Sequence, residues 1–414
     1  RIAGLDQFRE TSSTAPPGDL TIYDQPVAGF EVVNSHTLVL RLARPDPLLP
    51  YVFAMPYSAI VPREAVAHYG PRFAEHPVGS GPFRLGEWRR DCRLVLERNP
   101  SYRRVFWAGA ANPADRARPL PYLDRVELLF VREPLAAWLL FLQGELDLST
   151  LDKDSFDAVV TPERELVPAL GRRGIRMLQT TEFQVNYIGF SFTDPLLADN
   201  LALRRAIAMA FDMERRVQHS GYRLLPAHGP IPPGVPGHDP DFRNPWQRHD
   251  LAAARTLLAE AGYPEGRNPT TGQPLELRFD LANTDTASRQ LAELMVEDLG
   301  RIGLAVRPVL NHKARFFQQL AQGQLQLFRL SWVGDYPDAE NFLQLFYGPN
   351  AGGCNRVSYR DAEYDRRYEA AMALPPGPQR ETAYRELAEY LTDRVPWIFE
   401  SIPISYLLQH GWVE

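Results

Sequence analysis

The stretch that decides the interpretation of this chain is SWVGDYPDAENF, residues 331–342. It follows the run LQLFRL, residues 325–330, in which apolar side chains recur with a period of two. That period predicts a β-strand. Gly334 permits a close backbone approach and Pro337 interrupts the ladder of hydrogen bonds, so the strand is expected to end here in a turn.

The side chains of this turn predict a pocket for a cationic organic group. Trp332 and Tyr336 place aromatic rings on either side of Asp335, and both are therefore candidate ligand contacts beside its carboxylate. The alternative is an ordinary connection in which Asp335 or Asp338 caps the helix that starts near residue 341. Taken alone, the turn favours the capping interpretation, and the rest of the chain has to decide between the two.

The composition is that of a globular protein with more than one domain. The chain has 414 residues, 44% hydrophobic and 23% charged, and a net charge of -6. This length predicts about two or three domains. The acidic balance and the lack of a basic run argue against a nucleic-acid partner. Cys92 and Cys354 match no metal or redox spacing, so no cofactor is expected.

The ends and apolar runs of the sequence bear on targeting. The chain starts at Arg1 without a methionine, and it contains neither a signal peptide nor an apolar run of transmembrane length. We therefore expect that an N-terminal part of the protein has been removed or is not included in this sequence.

Strand and helix patterns along the chain predict an α/β fold. Residues 18–42 alternate as a hairpin with its turn at residues 34–35. Residues 123–131, a helix closed by Gly144, and residues 145–148 predict a first strand–helix–strand crossover. Residues 275–309 repeat this order and lead into the 325–330 strand.

Local signals also predict two helix starts and a last strand. Asp199 or Asn200 is expected to cap a helix with an apolar stripe, and Asp250 is expected to cap the helix after the proline-rich loop. Residues 396–399 begin a last extended segment.

Several short motifs occur in an order that resembles the extracellular solute-binding proteins of the oligopeptide and dipeptide ABC-transporter class. Each motif is weak alone, but together they extend from about residue 21 to the end of the chain. They are HPVGSGPF at 76–83, LERNP at 96–100, GELD at 144–147, LRRAIA at 203–208 and WVGDYPD at 332–338.

The resemblance implies a two-lobed α/β fold of the periplasmic-binding-protein type, class II, with an extra domain beside the first lobe. Residues 1–72 would form part of the extra domain and 73–190 the first lobe. Residues 191–396 would form the second lobe, and 397–414 would return to the first lobe. A full member of the class has additional chain before the first of these segments.

The resemblance also implies roles for residues of the turn. Asp335 would pair with the α-amino group of a peptide, as in peptide-binding members of the class. Trp332 would form a wall of a side-chain pocket. The backbone around Ser331 and Val333 would pair with the ligand as an added strand. Arg329 would bind a ligand carboxylate, or alternatively it is solvated or paired within the sheet.

Two other chemistries are weaker. The carboxylates Asp335, Asp338 and Glu340 could be a glycosidase pair, but capping and solvated roles fit Asp338 and Glu340 better. A proline-rich loop, residues 226–245, has histidines on or near it that could hold a metal or haem, but exposed loop positions are the better explanation for them. These histidines are His228, His238 and His249.

Taken together, the sequence predicts the substrate-binding component of an ABC importer. It would capture a peptide or another small solute between two lobes and deliver it to a membrane permease. The ligand-sensing domain of a regulator stays open, as does a binding protein for a sugar, an opine or a metal chelate. We expect a monomer without enzymatic activity, located in the periplasm or outside the cell, with or without a lipid anchor.

Overall fold

The computed structural model describes residues 2–16, 18–110, 112–151, 153–161 and 163–413. The chain divides into two compact units, residues 1–140 (unit 1) and residues 141–414 (unit 2). The assignment of segments to an extra domain and two lobes stays a prediction.

Unit 1 contains two small antiparallel sheets and several short helices. Strands β1 and β2 form the predicted hairpin, and β3, β4 and β5 form a three-stranded sheet in that order. The boundary between the units falls within α5. The elements are α1 (Leu5–Thr14), β1 (Phe30–Asn34), β2 (Thr37–Leu40), α2 (Leu49–Ala54), α3 (Arg63–Tyr69), β3 (Phe83–Arg89), β4 (Arg93–Arg98), α4 (Pro113–Arg116), β5 (Arg125–Leu129) and α5 (Pro134–Gln143).

Unit 2 alternates strands with longer helices. Its elements are β6 (Leu148–Thr150), α6 (Lys153–Val159), α7 (Pro168–Gly171), β7 (Arg176–Thr181), β8 (Gln184–Phe190), α8 (Pro195–Ala198), α9 (Leu201–Ala210), α10 (Met213–His219), β9 (Leu224–Pro226), α11 (Leu251–Glu260), β10 (Glu276–Leu281), α12 (Thr286–Gly300), β11 (Ala305–Leu310), α13 (Lys313–Ala321), β12 (Leu327–Val333), α14 (Glu340–Leu343), α15 (Ala362–Ala373), α16 (Pro378–Arg394) and β13 (Trp397–Gln409).

The sheet of unit 2 has the strand order β11-β10-β12-β8-β13-β6, with β7 and β9 also paired to β13. Strands β10, β11 and β12 are mutually parallel where they pair, and β8 joins β12 in the antiparallel direction. The crossover predicted for residues 275–309 is confirmed as β10–α12–β11. The first predicted crossover is wrong, because β5 and β6 have antiparallel partners in different sheets.

Strand β13 pairs with different strands along its length. Residues 397–401 pair with β8, whereas residues 404–409 pair with β7. The connection between β7 and β8 lies beside the point at which β13 changes partner, since the N–H of Glu182 donates to the carbonyl of Pro403 at 2.8 Å. The predicted final extended segment is therefore confirmed as a strand of 13 residues.

The two faces of this sheet have separate hydrophobic cores. Phe328 of β12 belongs to a cluster with residues of α13, α15 and α16. Leu327, the preceding residue, belongs to a cluster with residues of α9, α11 and α12. Successive side chains of a strand point to opposite faces of the sheet, so the faces assigned to Leu327 and Phe328 determine the face of each later residue of β12.

Some local signals were interpreted correctly and others were missed. Asp250 caps α11 as predicted, with its side chain accepting from the N–H of Ala253 at 3.0 Å. Asn200, one of two candidates, caps α9. Helices α10 and α13 were not identified, although Phe316 and Leu320 lie four residues apart on the buried side of α13.

Candidate functional site

The predicted site residues on β12 divide between the two faces of the sheet. Trp332 shares the parity of Phe328 and packs against the first hydrophobic cluster. Arg329, Ser331 and Val333 have the parity of Leu327 and therefore point to the other face. The structure thus does not place the side chains of Trp332 and Arg329 on one face of the strand.

The backbone of β12 has an open edge next to the turn. Its pairing with β8 continues to Val333, which lies opposite Gln184. Its pairing with β10 on the other side ends at Phe328, which lies opposite Asp280. Among the described strands, the segment 329–333 therefore has a ladder partner on one side alone. Backbone groups on the other side are available to an extended ligand.

Asn341 organises the turn that follows. Its Oδ1 accepts hydrogen bonds from Nε1 of Trp332 at 2.9 Å and from the backbone N–H of Asp335 at 3.0 Å. Its Nδ2 lies 3.5 Å from Oδ2 of Asp335. Asn341 is 1% exposed, whereas Asp335 is exposed. A buried amide thus supports a carboxylate that can meet a solute. No local pattern predicts this role of Asn341, which the sequence marks merely as the start of a helix.

Gly334 is required by close neighbours. Its N–H donates to the carbonyl of Phe183, in the β7–β8 connection, at 2.6 Å. A Cβ at this position would lie 2.4 Å from Cδ1 of Phe183 and 2.8 Å from Cζ of Phe342. The predicted close approach at this glycine is therefore confirmed, and it fixes the start of the turn.

Glu340 is an internal anchor of the turn. Tyr336 donates its hydroxyl to Oε2 of Glu340 at 2.5 Å, and Tyr368 of α15 donates to Oε1 at 2.6 Å. Burial raises the pKa of the Glu340 carboxyl, and the two donated hydrogen bonds counteract part of that rise. The expectation that Glu340 is solvated was wrong, because α15 covers it. The hydroxyl of Tyr336 is engaged in this anchor.

Asp338 is also buried, beneath α16. Its Oδ1 accepts from the hydroxyl of Tyr384 at 2.8 Å and lies 3.5 Å from Nη2 of Arg380. The N-cap of α14 is Ala339, which has no capping side chain, so the predicted helix cap at Asp338 is wrong. The same oxygen of Asp338 instead accepts the N–H of Glu340, the first residue of this helix, at 2.9 Å. The expected solvent exposure of Asp338 was wrong.

Arg329 forms an ion pair within the sheet. Its Nε donates to Oε2 of Glu400 on β13 at 2.6 Å, and the Glu400 side chain is buried. Arg216 of α10 also approaches Glu400, with 4.0 Å between Nε and Oε1. This pair corresponds to the sheet-paired alternative for Arg329. Its role toward a ligand carboxylate stays a prediction. No local sequence pattern signalled Glu400, which is 71 residues away.

The histidines of the proline-rich region lie apart from this turn. His228 and His238 line a cavity of about 370 Å³ between that loop and α16, and burial lowers the pKa of His228. The ring of His249 faces the carbonyl of Ala210 at 3.1 Å. In the part of the chain that is described, no group of three or more His, Cys, Asp or Glu side chains is placed to hold a metal ion.

Comparison with known proteins identifies the class. Residues 3–354 match the family described as bacterial extracellular solute-binding proteins, family 5 Middle. The chain belongs to this family, and the resemblance inferred from the short motifs is confirmed. It is a family of solute-binding proteins, as the sequence predicted, and not of enzymes. Within the described residues, every helix is too short or too polar to cross a membrane.

Individual relatives cover most of this chain. Di/tripeptide-binding protein 2 of Pseudomonas aeruginosa is 25% identical over 392 residues, which are 91% of this chain and 66% of the relative. Heme-binding protein A of Haemophilus influenzae is 24% identical over 386 residues, 91% of this chain and 64% of the relative. The chain thus spans about two thirds of the length of these relatives.

Solved structures support the predicted fold class. The periplasmic binding protein DppA from Helicobacter pylori, in complex with the peptide STSA, superposes with a TM-score of 0.74 at 18% identity. That match covers 99% of this chain and 76% of the other. HbpA2 from Haemophilus parasuis gives a TM-score of 0.72 at 22% identity, covering 92% and 71%. The α/β fold of the solute-binding class is therefore confirmed.

Proposed function

We propose that this chain is the substrate-binding component of an ABC importer and that its solute is a peptide or a peptide-like molecule. The observation that carries the proposal is the exposed carboxylate of Asp335, held by the buried amide of Asn341 at the end of β12. A carboxylate supported in this way is a receptor for the α-amino group of a peptide, because charge-assisted hydrogen bonds are strong and directional.

The neighbouring backbone favours a peptide over other cations. An extended peptide has N–H and C=O groups at strand spacing, and the open edge of residues 329–333 offers the matching groups. Ser331 and Val333 lie on this segment, and Trp332 follows as a half-buried aromatic wall. Amino-group capture by Asp335 and strand addition along β12 would fix the direction of the bound peptide.

The proposal extends to location and partners. The family is described as extracellular, which supports a periplasmic or extracellular site of action for this chain. A solute captured there would be delivered to a membrane permease. The proposed mechanism is closure of two lobes on the solute, which shifts the population from an open to a closed state. The protein would act as a monomer.

The experiment that tests the proposal is calorimetric titration with trialanine and with N-acetylated trialanine. Asp335→Ala should weaken trialanine binding by about 2–5 kcal/mol, which is about 30-fold to several thousand-fold, because it removes one partner of a charge pair. The acetylated peptide should bind weakly to both proteins. Asp199→Ala, which truncates another exposed aspartate, is the matched control. Equal affinity of the native chain for both peptides would refute the role of Asp335.

A further inference from the structure

Asn341 contacts each side chain of the turn to which the proposed function gives a polar or aromatic role. One oxygen of its amide accepts from the indole of Trp332 and from the backbone of Asp335, and its nitrogen faces the carboxylate of Asp335. We infer that Asn341 is the positioning residue of this site: it aims the carboxylate and the indole and thereby sets affinity for the amino end of the solute. This inference rests on the proposed function.

The orientation of the amide follows from its neighbours. Two N–H donors, from Trp332 and Asp335, converge on one atom of the side chain, and an amide accepts through its oxygen alone. That atom must therefore be Oδ1. The NH₂ group is then left facing Oδ2 of Asp335, which can accept a hydrogen bond but cannot donate one when ionised. The contacts thus agree on a single orientation of Asn341.

Hydrogen bonds to neighbouring elements hold the backbone that carries the Asn341 side chain. Asn341 lies in α14, and its own N–H donates to the carbonyl of Asp338 at 3.1 Å. Asp338 is in turn held by Tyr384 of α16, and Glu340 is held by Tyr368 of α15. Through these hydrogen bonds, α15 and α16 hold α14, and with it Asn341, in a fixed position next to the end of β12. Rigid support of this kind is what a binding group needs in order to remain aimed.

No other described contact replaces Asn341 at the Trp332 indole. Trp332 is half-buried, so loss of the acceptor would leave its N–H without that partner and free the ring to turn. The same substitution would release the backbone N–H of Asp335. Gln344, a nearby side-chain amide, donates to the backbone carbonyl of Asn341 at 3.5 Å and has no described hydrogen bond to Trp332 or Asp335. It provides a matched control.

The test is a double-mutant cycle between Asn341 and Asp335, with trialanine affinity as the readout. Asn341→Ala should weaken binding by about 10- to 100-fold in the native background, the range for losing hydrogen bonds to a charged group. In the Asp335→Ala background it should have little further effect, because the two residues act as one unit. A merely structural role would give the same loss in both backgrounds. Gln344→Ala should leave affinity within about twofold, since it keeps the hydrogen bonds of the Asn341 side chain to Trp332 and Asp335.

A second readout follows the indole directly. The N–H resonance of Trp332, assigned by its loss in Trp332→Phe, should shift in Asn341→Ala and not in Gln344→Ala. If Asn341→Ala does not fold, Asn341→Asp takes its place, since it keeps an oxygen for both N–H donors and loses the amine that faces Asp335. We expect Asn341→Asp to weaken trialanine binding at least about fivefold in the native background alone.

The outcomes separate the two proposals. Unchanged affinity in Asp335→Ala overturns the proposed role of Asp335 and this inference together. A second outcome is that Asp335→Ala weakens binding while the Asn341 variants either bind unchanged or lose equal affinity in both backgrounds. That outcome overturns the inference about Asn341 and leaves the proposed function standing.

Discussion

Removal of one partner of the buried ion pair between Arg216 and Asp298 should destabilise unit 2 strongly. Asp298 of α12 is fully buried and pairs with Nη1 of Arg216 on α10. The Asp298 carboxylate also accepts the N–H of Asp212 at 3.2 Å. The guanidinium of Arg216 lies over the ring of Phe211, 3.7 Å from its centroid. Replacing Asp298 by alanine would leave a cation enclosed by protein.

The expected cost follows from these contacts. Breaking a buried pair by removing one partner costs about 3–5 kcal/mol, because the remaining charge stays desolvated. The backbone carbonyl of Asp212, 2.9 Å from Nη1 of Arg216, compensates in part. Glu400, with 4.0 Å between its Oε1 and Nε of Arg216, does so more weakly. For a unit of this size, each kcal/mol lowers the midpoint of thermal unfolding by about 2–4 °C. Asp298→Ala should therefore lower it by about 6–20 °C.

The adjacent residue provides the control. Glu297 pairs with Arg215, but its side chain is 56% exposed, and exposed pairs contribute about 0–1 kcal/mol. Thermal and urea-induced unfolding of Asp298→Ala and Glu297→Ala, followed by circular dichroism, compares the two pairs on one helix. Equal midpoints for the two variants would refute the reasoning, because it attributes the difference to burial alone.

Two further predictions concern the anchors of the turn. The pKa of Glu340 is raised above 4.5 in the folded chain, so its contribution to stability is complete below pH 4.5 and is lost as pH rises through the folded value. Over that pH range the free energy of unfolding of Glu340→Gln, measured in urea, should increase relative to that of the native chain. Parallel pH profiles of the two proteins would contradict this. Gly334→Ala should destabilise by about 1–3 kcal/mol through overlap with Phe183, whereas Gly300→Ala, with open space around it, should be neutral or slightly stabilising, and equal urea midpoints would show that the overlap is relieved at no cost.

Local patterns predicted what local physics controls. The alternation of residues 325–330 identified β12, and the Asp250 signal identified the start of α11. Both depend on side chains within one or two turns of the chain. The failed crossover at β5 and β6 shows the limit, since a strand pattern reports burial and spacing but not the choice of partner strand.

The site was predictable to the same extent. The sequence identified Asp335 and Trp332 as neighbours because they are three residues apart. It could not identify Glu400 as the partner of Arg329, since 71 residues separate them and the contact crosses β8. It also could not assign Asn341, because an asparagine six residues after Asp335 is compatible with any turn until the fold brings the amide back.

Burial, and not residue type, divides the three carboxylates of the turn. Asp335, Asp338 and Glu340 lie within six positions, and no local pattern predicts that Asp338 and Glu340 are buried. Helix α16 covers Asp338 and helix α15 covers Glu340, so tyrosine hydroxyls occupy their oxygens. Asp335 stays exposed. A cationic solute would therefore meet one carboxylate whose position depends on the other two, and substitution of either anchor should weaken binding without touching the solute.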